Sequence, residues 1–112
     1  MDWRELDKGL YLMAMTVQSL SREQRLAMVI AFEAEVDAAF GQGLLTQEQA
    51  WDAYFSLIHE CDEMRFRDHR PRILAKIDPK RYNPFRSTNP GIVMLARYRA
   101  EEMGLLGNSK PN

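Results

Sequence analysis

A chain of 112 residues with 46% hydrophobic and 28% charged side chains is sized and composed for one globular domain, which excludes a disordered chain and a two-domain arrangement. Its single cysteine, Cys61, excludes an internal disulfide, so nothing in the thiol content asks for an oxidising compartment. The net charge of −1 hides a polarity along the chain: residues 1–64 carry a net −8, residues 65–86 a net +6 and residues 87–112 a net +1.

The first segment reads as a helix from about Asp2 to Leu20. Trp3, Leu6, Leu10, Met13, Val17 and Leu20 recur at alternating spacings of three and four, the seam of a packed helix. Tyr11, Leu12 and Met15 add apolar bulk on the other faces. A helix apolar nearly all round is buried on all sides, so this one is either central or a subunit interface. The expectation is a homodimer through this first helix. Asp2, Glu5 and Asp7 stand where a secretory leader would be basic. The longest uncharged stretch, Gly9 to Ser21, is thirteen residues, well short of the roughly 20 that span a bilayer. The chain is therefore expected to be cytoplasmic, with no membrane partner.

Ser21 and Gln24 have the capping-box spacing that opens a second helix. Leu26, Val29, Ile30, Ala34, Val36 and Phe40 would line its apolar side, with Glu23, Glu33, Glu35 and Asp37 in water. Gly41 and Gly43 end it. Thr46 with Gln49 caps a third helix in the same way. Its stripe is Trp51, Tyr54, Ile58, Cys61 and Arg65, and it could run to His69, before Pro71. Pro71 opens a short helix through about Ile77. Pro79, Pro84 and Pro90 punctuate the loop that follows, and Asn89 caps a last helix with Ile92, Leu95, Ala96, Arg99 and Met103 on one face. No segment alternates with period two. The fold expected is all-α, a compact bundle of four or five helices with a proline-punctuated loop before the last. Residues 1–104 would form a single domain and 105–112 a flexible tail.

The segment 65–86 is the first candidate for function. It packs Arg65, Arg67, Arg70, Arg72, Lys76, Lys80, Arg81 and Arg86 into 22 residues, with Phe66, Tyr82 and Phe85 interleaved. Guanidinium forks suit carboxylates and phosphates, and aromatic rings can stack on unpaired bases. The plain alternative is that folding lays these cations over the acidic first half. A sequence pI of about 6.1 counts against nucleic acid, whose binding domains are usually basic. The second candidate, His59-Glu60-Cys61-Asp62-Glu63, groups metal-ligating side chains but lacks the second histidine of a zinc-protease motif and any Glu-x-x-His pair of a di-iron bundle. Cys61 is a poor nucleophile candidate, because the neighbouring carboxylates oppose a thiolate. No glycine-rich phosphate loop is present, since Gly41 and Gly43 follow a helix and no lysine follows them. Glu33, Glu35, Asp37, Glu48, Asp52, Glu60, Asp62 and Glu63 could mimic a phosphate backbone or simply form a solvated face. The seven methionines and the Trp51, Tyr54 and Phe55 trio fit an interface, but fit a core better.

The expectation is thus a non-enzymatic regulator, adaptor or inhibitor without cofactor or metal, acting on another protein. The partner-binding residues would be Arg65, Arg67, Arg70, Arg72, Lys80, Arg81, Tyr82, Phe85 and Arg86. The alternative is nucleic-acid binding through the same basic segment.

Overall fold

The helices begin where the capping residues sit. The computed structural model describes Arg4, Lys8 and residues 20–100. Ser21 opens α1 (Arg22–Gly41) and Thr46 opens α2 (Gln47–Met64), each through a complete capping box. The Ser21 hydroxyl accepts from Gln24 N–H at 3.1 Å while the Gln24 side chain accepts from Ser21 N–H at 2.9 Å. Thr46 and Gln49 repeat these distances. Two otherwise unpaired backbone donors are satisfied at each start. Gly43, at φ +77, takes the left-handed turn between the two helices that a β-carbon would disfavour.

The hairpin is antiparallel. Arg22, in the first turn of α1, reaches the last carbonyls of α2, Met64 O at 3.2 Å and Arg65 O at 3.3 Å. A cation there also meets the negative end of the α2 dipole. Further along, Arg25 pairs with Glu60 and the Tyr54 hydroxyl donates to Asp37.

α2 is the central element. Ala50, Ala53, Phe55, Leu57 and Ile58 are fully buried, because α1, α3 and α4 all pack against α2. The sequence allowed α2 to reach His69, but it ends at Met64. Arg65 adopts a left-handed conformation (φ 57, ψ 45), so Phe66 N–H can bond back to Cys61 O at 2.9 Å. This closes a Schellman motif and turns the Phe66 ring into the core. The gain from burying that ring explains why the helix stops without a glycine.

Beyond this corner lie α3 (Arg70–Leu74), a 3-10 turn (Pro84–Arg86) and α4 (Pro90–Arg99). Pro71 sits in the first turn of α3, and Asn89 caps α4 by accepting from Gly91 N–H at 2.9 Å. Tyr82 anchors the intervening loop, with its ring edge-on to Trp51 at 5.8 Å and its hydroxyl donating to the Asp52 carboxylate at 2.7 Å. Ser87 donates to the other Asp52 oxygen at 2.6 Å. The fold is an all-α bundle with no strand among the described residues. No helix among them is long and apolar enough to cross a membrane. The expected first helix and its dimer contact, the end of the last helix and the tail at 105–112 fall outside the described residues, apart from Arg4 and Lys8, whose backbone is helical.

One expectation for α1 is corrected. Glu33 was placed in water by its spacing, yet it is buried. Conversely Ile30, Ala34 and Phe40, expected on the apolar side, are exposed. The face that packs on α2 is Val29, Glu33, Val36 and Ala39.

Candidate functional site

The basic segment is divided between inside and outside by what lies beneath it. Glu33 on α1 receives two groups from the far side of the α2–α3 corner: His69 Nε2 at 2.8 Å and Lys76 Nζ at 2.6 Å. Lys76 also meets Asp37 at 2.6 Å, and Asp37 in turn accepts from Tyr54. Burial opposes the charge on Lys76, but the hydrogen bonds to Asp37 and Glu33 more than offset it and its pKa is raised. Burial, reinforced by Asp37, raises the Tyr54 hydroxyl as well, so the phenol stays a donor.

A second clamp centres on Asp62, which holds Arg70 from α3 and Arg99 from α4, the latter at 2.6 Å. The Arg99 side chain is 4% exposed, so this pair works in a poorly screened setting. With Arg25–Glu60, Asp52–Tyr82 and the looser Arg99–Glu63 pair at 3.7 Å, six of the eight candidate carboxylates face protein donors. Glu35, Glu48 and Glu63 remain exposed. A phosphate-like array of acids is therefore largely consumed by the fold itself.

The outer side of the segment is different. Arg65, Arg67 and Arg72 are exposed at the α2–α3 corner, beside Arg22, whose guanidinium lies 4.8 Å over the Phe66 ring. Lys80, Arg81 and Arg86 are exposed on the loop that follows, with Arg81 6.0 Å from the Trp51 ring centre. Of the residues singled out for partner binding, these six are at the surface. Arg70 is half-buried on Asp62, Tyr82 is in the core and Phe85 is half-buried against it. Burial and the Asp52 charge raise the Tyr82 hydroxyl, which keeps it a donor to that carboxylate.

The cluster around Cys61 holds a thiol rather than a thiolate. Burial, and then Asp62 and Glu60, push Cys61 up to about 12. His59 is lowered, first by burial and then by the Arg99 charge. Its ring packs edge-on to Tyr98 at 6.2 Å, and its Nδ1 is buried without a hydrogen-bond partner among the described residues. No grouping of three or more metal-ligating side chains occurs among the described residues.

Two apolar surface features lie outside the basic segment. Met94 and Tyr98, one turn apart on α4, are 70% and 69% exposed. Their spacing of four is visible in the sequence, but methionines and aromatic residues read there as core, and at these two positions the side chains face solvent. The other is the outward side of α1, where Ala27, Ile30, Ala31, Ala34 and Ala38 all face solvent.

No protein-family model matches the chain, and neither a curated protein nor a solved structure matches it. What the fold defines is its class, a small all-α bundle; the functional reading rests on the surface alone.

Proposed function

We propose that the protein is a small non-enzymatic regulator or adaptor that binds an acidic surface of another protein. The contact residues would be Arg65, Arg67 and Arg72 at the α2–α3 corner, with Lys80, Arg81 and Arg86 on the adjoining loop. The observation that carries this reading is the sorting of the basic segment. The cations that meet internal carboxylates are turned inward, while these six are left to solvent. Arginine forks make paired hydrogen bonds to carboxylates and are enriched where protein interfaces hold their binding energy.

The interleaved rings favour a protein over the alternative, nucleic acid. Phe66 and Tyr82 are 4% and 6% exposed, so neither offers a face on which a base could stack. With two of the three interleaved rings in the core and Phe85 half-buried, the exposed cations suit carboxylates better than unpaired bases. An affinity capture from the host organism's cells, comparing wild type with an Arg67→Glu/Arg72→Glu variant, tests the proposal. One partner should be recovered at stoichiometric yield with wild type and lost with the variant. Recovery of the same proteins by both would overturn it. Single-stranded DNA or RNA bound by wild type, with affinity falling steeply as salt rises, would replace it with the nucleic-acid reading.

A further inference from the structure

The last described helix is held by little. α4 packs against α2 and buries Ile92, Ala96 and Arg99, one stripe at spacings of four and three. Arg99 closes the far end, bonded to Asp62 at 2.6 Å and lying 3.7 Å from Glu63. One turn earlier on α2, on the same side as these two acids, His59 packs edge-on against Tyr98 of α4 at 6.2 Å.

His59 Nδ1 is buried and has no hydrogen-bond partner among the described residues. A neutral imidazole tolerates that position, because its one proton can sit on Nε2 and leave a lone pair on Nδ1. An imidazolium carries a proton on both nitrogens. The added one would be a charged donor aimed into a contact with no acceptor, a more costly omission than an unmade neutral bond.

The surrounding charges do not remove that cost. From α2 itself Glu60, Asp62 and Glu63 favour the imidazolium, and from α4 Arg99 opposes it. Glu60 is already bonded to Arg25 of α1, and Asp62 is shared between Arg70 of α3 and Arg99. Glu63 is half-exposed, so water screens its charge. Burial is the largest influence on the ring and Arg99 the next, and both favour the neutral form.

We propose that α4 is a pH-sensitive arm, which lies on α2 while His59 is neutral and lifts away when the ring becomes an imidazolium. Lifting gives Nδ1 access to water and separates the new charge from Arg99. The opening is local, because α4 surrenders one short stripe while the α1–α2 hairpin keeps its own core. The arm is closed above about pH 6.5, the ordinary value for an imidazole, and opens progressively as pH falls below it. Once lifted, it adds Ile92 and Ala96 to the exposed Met94 and Tyr98, so an apolar surface becomes available in mild acid.

Amide hydrogen exchange of the full chain at about pH 7.5 and pH 5.5, corrected for intrinsic rates, tests the arm. A detached helix of 10 residues is not stable alone in water, so its amides exchange once it lifts. In the open state an ordinary imidazole is about 10-fold more protonated than neutral at pH 5.5. The amides from Met94 to Arg99 should therefore exchange about 10-fold more readily at the lower pH, while Leu57 and Ile58 in α2 change by less than about 2-fold. In His59→Asn the α4 change should also stay below about 2-fold, with the other histidine, His69, still in place. No rise in wild type, or an equal rise in the variant, would overturn the proposal. A second measurement needs no substitution. Followed by NMR, the carbon-bound ring proton of His59 should titrate below about 6.5, with the α4 amide shifts on the same curve. A ring that titrates while α4 stays protected has swung out alone, and that result would overturn the arm as well.

Discussion

Arg70 and Arg72 stand two residues apart on one short helix and are put to opposite uses. Arg70 is half-buried and bonded to Asp62, while Arg72 is exposed. The same division runs through the whole basic segment, between an inner side that closes on α1 and α2 carboxylates and an outer side that faces water. A run of cations in a sequence is thus an upper limit on the charge available to a partner. The carboxylates that the fold brings underneath must be subtracted first.

The division can be broken most severely at Glu33. Glu33→Ala would leave His69 and Lys76 facing a site with one acid fewer, and should lower unfolding stability by about 3 kcal/mol, read from urea denaturation. A loss under about 1 kcal/mol would mean that the buried pairing contributes little beyond packing. Next in size is the contrast between the two neighbours. Arg70→Ala should cost about 1.5 kcal/mol, the scale of a hydrogen bond to a charged group. Arg72→Ala should stay within about 0.5 kcal/mol, as exposed sites do. Equal losses would erase the distinction between inner and outer cations.

The smallest effect is expected at His59, which lies at the α2–α4 contact away from both sides. Its pKa is lowered in the fold, so between the folded value and the ordinary value of about 6.5 the unfolded chain binds the proton first. The His59 contribution to stability is complete above about 6.5 and is lost as pH falls through that window. Thermal midpoints of wild type and His59→Asn, followed from about pH 7.5 to pH 5, should converge as the pH drops. Parallel curves would remove the imidazole from the pH dependence.

Local signals in the sequence were enough for the helix starts. Ser21 with Gln24, Thr46 with Gln49, and Asn89 before Pro90 each act through groups no more than three residues apart. The end of α2 was not legible, because Arg65 occupies a conformation normally assigned to glycine and the reason, burial of Phe66, is a tertiary one. Glu33 was misplaced for a similar cause. Its partners come from 36 and 43 residues further along the chain, and periodicity carries no record of them. Ile30 and Ala34 fall into one stripe with the inward residues because α1 is apolar on two sides, whereas Phe40, one turn after Val36, is 38% exposed next to the helix end at Gly41. For the candidate surface, the location of the basic segment could be read, while its division into Arg70 and Lys76 inside and Arg65, Arg67 and Arg72 outside could not.

Arg65 holds the only positive φ outside glycine among the described residues. A left-handed arginine is less stable than a left-handed glycine by about 1 kcal/mol, since its β-carbon crowds the following carbonyl. The corner therefore keeps a long cationic side chain at a position where the backbone alone would settle more easily without one. Thermal robustness and the charge displayed at that corner are opposed at this one residue, so selection for stability alone and selection for the guanidinium would choose different amino acids there.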